Sequence, residues 1–241
     1  SIHNYMALYT GSILYMRENY LNTDPKKTKD NYALVCEKWR KIFLEMDVEE
    51  LSERFGLELD GEALYITYFC ENYRLDRRTG MITPANDPKK RLSFNTLMCI
   101  YHLFYYSKPE ARIKGEFIPF RQVKGAAPYD PAFQKTVLKP LAETFSGHPD
   151  ALRQACQRLQ GRPIRQGDAG YVIDATDCLP MTVVFWDGDE EVEAQANILF
   201  DAAVTDFLHE ETVVCLASWL VQRLTEESGL TPKGALASQE Y

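Results

Sequence analysis

The densest run of groups able to do chemistry lies in the last third of the chain. Asp187, Asp189, Glu190, Glu191 and Glu193 set five carboxylates within seven residues, and Asp201, Asp206, His209, Glu210 and Glu211 follow. Asp168, Asp174 and Asp177 precede them. Ionised carboxylates this close repel one another, so they need full solvation, a basic partner or a bound cation. Alternation along an extended segment puts Asp187 and Asp189 on one side. With Glu190 and Asp201 they are candidate ligands for a hard divalent cation such as Mg²⁺, Ca²⁺ or Mn²⁺, and His209 would admit Zn²⁺ or Fe²⁺. Metal-assisted hydrolysis is the activity such a centre would support. The spacing is not that of a calcium loop. The competing reading is a solvated turn, because Asp187-Gly188 is a common turn dipeptide and charge runs usually face water. Asp201, after Ile198-Leu199-Phe200, reads more readily as a strand end capping the next turn.

A second arrangement uses the same region differently. Arg121 and Tyr129, with Lys124, flank a glycine-containing loop, while Trp186 stands beside the carboxylates. A cationic or polar small molecule could be held by Arg121, Tyr129, Trp186, Asp189 and Glu190, since a few polar anchors on aromatic surface are the general form of a ligand site. The plainer expectation for Trp186 is core packing. Complete catalytic signatures are missing. The chain has no G-x-x-x-x-G-K-[ST], no G-x-G-x-x-G and no G-x-S-x-G. His209-Glu210 begins like a zinc-protease helix, but position 213 is Val, so the second ligand on that face is absent.

These residues must be positioned by a mixture of elements. Tyr32, Val35, Trp39, Ile42 and Phe43 predict a helix over Asn31 to Glu45, and a second helix runs from Val48 to Phe55, stopped by Gly56. Ala63 to Phe69, Tyr73 to Asp76 and Met81 to Thr83 then read as a small antiparallel meander with turns at Glu71-Asn72 and Arg77 to Gly80. Leu92 to Ser107, capped by Ser93, is apolar on nearly all sides and therefore central, with His102 expected to be a core histidine satisfied by one hydrogen bond. Gly115 to Val123 reads as a strand whose Pro119 suggests an edge. Helices follow over Asp130 to Phe145, interrupted near Pro140, and over Asp150 to Leu159. Ala169 to Ile173, Met181 to Trp186 and Asn197 to Phe200 predict strands, and Glu210 to Glu227 the longest helix. The expected architecture is α+β, with antiparallel sheet elements packed with several helices in a single domain over 31–228. An aromatic-rich extension and linker is expected over 1–30, offering a homo-oligomeric contact, and a disordered tail over 229–241.

Composition bounds the class. The chain has 241 residues, 45% hydrophobic and 26% charged, with a net charge of -8. That is enough apolar material for a core without staples. The acidic balance argues against a nucleic-acid partner, which calls for a basic face. No apolar run spans a membrane, and no leader peptide is evident. The six cysteines hold no C-x-x-C pair, so they are expected to be free thiols of a reducing cytoplasm, behaving as small core residues.

In order along the chain, the meander ITYFCENYRLDRRTG, the loop region GEFIPFRQVKGAAPYDPAF and the stretch MTVVFWDGDEEVEAQANILFDAAVTDFL followed by HEETVVCLASWLVQRL resemble the family designated domain of unknown function 3786, known from anaerobic bacteria and archaea. The resemblance spans Asn31 to Leu224. Some members are joined to an iron–sulfur module like that of corrinoid iron–sulfur proteins, which implies a role near one-carbon or corrinoid metabolism. This chain lacks the clustered cysteines of such a module. The leading expectation is a ligand-binding or accessory protein of anaerobic metabolism. A metal-dependent hydrolase built on the region 187–201 and a protein–protein interaction module are the alternatives.

Overall fold

The computed structural model describes residues 25–234; the aromatic-rich segment read at the N-terminus lies, up to Asp24, outside them. Helix α1 (Pro25–Leu44) starts six residues earlier than its apolar period shows. Pro25 suits a first helical turn, and the polar run Lys26 to Asp30 carries no apolar spacing by which the helix could be recognised, so it reads as a linker. Trp39 and Phe43 are buried from α1. Asp47 caps α2 (Val48–Phe55) by accepting from Glu50 N–H, and Gly56 ends it at φ 64°.

Strands β1 (Ala63–Tyr68), β2 (Glu71–Asp76) and β3 (Ile82–Pro84) form the expected three-stranded antiparallel meander. Its first turn is Phe69-Cys70, two residues earlier than Glu71-Asn72, and both residues take positive φ, 47° and 64°. Such hairpin turns ordinarily use Asn and Gly; for residues with larger side chains the conformation costs about 1–3 kcal/mol each and persists only where surroundings impose it. Here they do. Phe69 is fully buried, its N–H donates to the Ala175 carbonyl at 2.7 Å, and its own carbonyl accepts from Arg223 at 3.1 Å.

Helix α3 (Phe94–Tyr106) is capped by Ser93 as expected and buried along nearly its whole length. It packs between α1 and the long C-terminal helix, and Trp39 lies 4.4 Å from the His102 ring. After α3 comes the edge strand β4 (Phe117–Pro119), then two single turns of 3₁₀ helix, Phe120–Gln122 and Ala127–Tyr129. The next helix is broken into α4 (Asp130–Phe133), a π turn (Gln134–Leu138) and α5 (Lys139–Phe145). Pro140 explains the break. It has no N–H and its ring crowds the carbonyl four residues back, so the chain widens ahead of it, with Lys139 N–H reaching the Gln134 carbonyl.

Helix α6 (Pro149–Arg158) leads into β5 (Arg162–Pro163), β6 (Ala169–Asp174), β7 (Pro180–Trp186) and β8 (Gln195–Asp201). The five-stranded sheet has the order β4-β8-β7-β6-β5 and is antiparallel throughout. Pro119 occupies the edge strand, where a missing N–H breaks no ladder. The short helix α7 (Val204–Phe207) precedes α8 (Glu210–Ser228), which runs through the core and ends at Gly229. One continuous hydrophobic core joins both sheets and the helices. The chain is thus α+β. No helix among the described residues is long and apolar enough to cross a membrane. Beyond Gly229, Lys233 N–H donates to Thr144 Oγ1 at 3.1 Å; of the tail expected over 229–241, residues 235–241 lie outside the described residues. All six cysteines are free; Cys99, Cys156 and Cys215 are core residues, whereas Cys70 is exposed at the hairpin tip.

His102 carries the single hydrogen bond expected of it, Nδ1 to Thr212 Oγ1 at 2.7 Å, linking α3 to α8. Burial, aided by His209 and Lys38, pushes its pKa down to about 3. A histidine held neutral in the fold but titrating near 6.5 when unfolded stabilises fully above pH 6.5 and loses that contribution as pH falls toward 3. Chemical denaturation between pH 6 and pH 4 is expected to show stability falling by about 1.4 kcal/mol per pH unit from this group. His102→Asn, which keeps a polar partner for Thr212, should flatten that slope.

Candidate functional site

The antiparallel register of β7 and β8 decides the fate of the acidic region. Met181 pairs with Phe200 and Trp186 with Gln195, so Asp187 and Asp189 follow one end of the hairpin while Asp201 stands at the other, about 20 Å away at roughly 3.3 Å per residue. His209 is further on, capping α8. The candidate ligands Asp187, Asp189, Glu190, Asp201 and His209 therefore do not converge, and no group of three or more His, Cys, Asp or Glu side chains among the described residues is placed to hold a metal ion. The carboxylates are compensated one by one. Asp187 accepts from Gly147 N–H at 2.8 Å and Gly188 N–H at 2.9 Å. Asp189 accepts from Glu191 and Val192 N–H, bonds that lower its pKa. Asp168 accepts from Asp187 N–H at 2.7 Å, and Asp174 pairs with Arg162. Glu190, Glu191 and Glu193 are exposed to water.

Asp201 is the exception in burial. Only 2% exposed, it accepts from Lys114 N–H at 3.0 Å, Gly115 N–H at 2.8 Å and Ala203 N–H at 2.9 Å. This is the turn cap expected from its place after a strand, and it additionally reaches across to the entry of β4. Phe117 pairs with Asp201 and Pro119 with Leu199, so this carboxylate fixes where the following segment begins.

That segment, 120–134, helps build a concave surface that includes the nominated Arg121. A cleft of about 230 Å³ is lined by Pro119, Phe120, Arg121, Asp130, Phe133, Gln134 and Asn197. Beneath it lies the core, where the fully buried Phe120 and Phe133 stack at 4.4 Å and Phe200 is 5.9 Å from both. Arg121 comes from the first 3₁₀ turn, Asp130 from the start of α4, Gln134 from the start of the π turn and Asn197 from β8. Asp130 Oδ1 is out of contact with solvent and has no hydrogen-bond partner. Arg121 makes no ion pair with a described residue, and Arg121 and Asp130 do not pair with each other.

Tyr129 is turned instead toward α8. Burial and its hydrogen-bonded neighbour Glu211 push the Tyr129 pKa up to about 12. His209 caps α8 by accepting from Glu211 N–H through Nδ1 at 3.2 Å, which leaves Nε2–H to donate toward Glu210 at 3.3 Å. Gly125, at φ 81°, clears room for the Glu210 carboxylate, which a Cβ there would strike. Tyr106 lies 5.5 Å from the His209 ring. So Tyr129 and His209 belong to one cluster at the start of α8, and Arg121 to the adjoining cleft.

The other nominated ligand residues lie apart. Trp186 is 40% exposed, so neither core packing nor a place in the cleft describes it. Register puts it on the same sheet face as Asn197, two residues beyond Asn197's partner Val184, or about 7 Å along the strand. Asp189 and Glu190 lie further out, in the turn. Asp130, Gln134 and Asn197 were not legible as site residues. Asp130-Pro131 carries only a helix-start signal, and the cleft exists because separate elements meet.

The family model described as Domain of unknown function (DUF3786) matches residues 47–223, most of the chain and nearly all of the fold above. The chain belongs to this family. The matched span includes both sheets, the cleft and most of α8, and leaves out α1. No curated protein and no solved structure matches.

Replacing the family member's Asp201 by Asn would set an amide N–H against backbone donors in a buried site. The expected cost is about 2–3 kcal/mol in urea denaturation, since a buried donor loses a charged acceptor.

Proposed function

We propose that this chain binds a small polar molecule in the cleft between the 120–134 segment and β8. The observation that carries the reading is a concave surface to which separate elements bring Arg121, Asp130, Gln134 and Asn197. Asp130 Oδ1 has no partner, and Arg121 has no ion pair among the described residues. The Gln134 and Asn197 amides can orient a ligand, and Arg121 offers an exposed cationic anchor. The cleft is smaller than the roughly 300–1,000 Å³ of drug-sized sites, which favours a small metabolite.

An accessory, ligand-binding role in anaerobic, corrinoid or one-carbon metabolism fits this reading, and that setting rests on the family resemblance alone. A hydrolase built on a metal held by the acids of 187–201 has no support from the geometry, because β7–β8 pairing separates them. An interaction role for the N-terminal extension rests on residues outside those described.

The test is saturation-transfer NMR on the full chain with a mixture of amino acids, hydroxy acids, sugars, nucleosides and polyamines. At least one compound should bind. Asn197→Trp, which fills the cleft from the half-buried edge of β8, should abolish that binding while leaving the circular dichroism spectrum unchanged. Absence of binding, or binding undiminished in Asn197→Trp, overturns the proposal.

A further inference from the structure

We draw no further inference here: the strongest candidate, the outer face of the five-stranded sheet, where Val172, Leu199, Pro119 and the exposed Trp186 point away from the core, carries nothing because nothing in the structure shows what covers it.

Discussion

The buried Asp201 carboxylate, with three backbone N–H groups aimed at it, is the constraint on which the rest of the site depends. It stands at the end of β8, closes the turn into α7 and fastens the start of β4 to the same strand. Everything from Phe120 to Gln134 is threaded from that fixed point. The 3₁₀ turn that carries Arg121, the glycine that makes room for Glu210 and the helix start that carries Asp130 take their positions from it. A carboxylate serving three backbone donors this way has its charge met without a cation. The acid with the strongest structural surroundings in the chain is thus an organiser of the backbone.

The acidic region shows how crowding along a chain differs from crowding in space. Seven residues contain five carboxylates, yet each of the aspartates among them bonds to backbone N–H groups of nearby turns, and the glutamates face water. Compensation is real but local and distributed. It comes from peptide dipoles rather than from one counter-ion. Repulsion among neighbours is tolerable because the hairpin turn fans its side chains outward, and because strand pairing carries Asp201 to the far end of the sheet.

What was legible in the amino-acid sequence follows from the range of the forces involved. Ser93 as a cap, Gly56 and Gly229 as helix stops, Pro119 on an edge strand and the all-round apolar α3 are short-range signals, and the structure has each of them. The Phe69-Cys70 turn was displaced by two residues because neither residue type announces a left-handed turn; contacts with Ala175 and Arg223, distant in sequence, impose it. The start of α1 was hidden by its polar composition. Arg121 was named because a cation beside a glycine-containing loop is a local signal. Asp130, Gln134 and Asn197 were missed because each looks ordinary where it sits, and only the meeting of α4, the π turn and β8 gives them a common space.

The tip of the small meander has one more implication. Its amide and its carbonyl are both bonded to the main body, its phenyl ring is in the core, and the Cys70 thiol donates to the Leu159 carbonyl at 3.3 Å. A three-stranded sheet attached by flexible connections could swing as a flap. This one cannot pivot without releasing its tip from the far side of the molecule, and once released its turn would relax out of the left-handed region. The meander is therefore a bolt rather than a hinge, and the halves of the chain on either side of it are locked into a single cooperative unit.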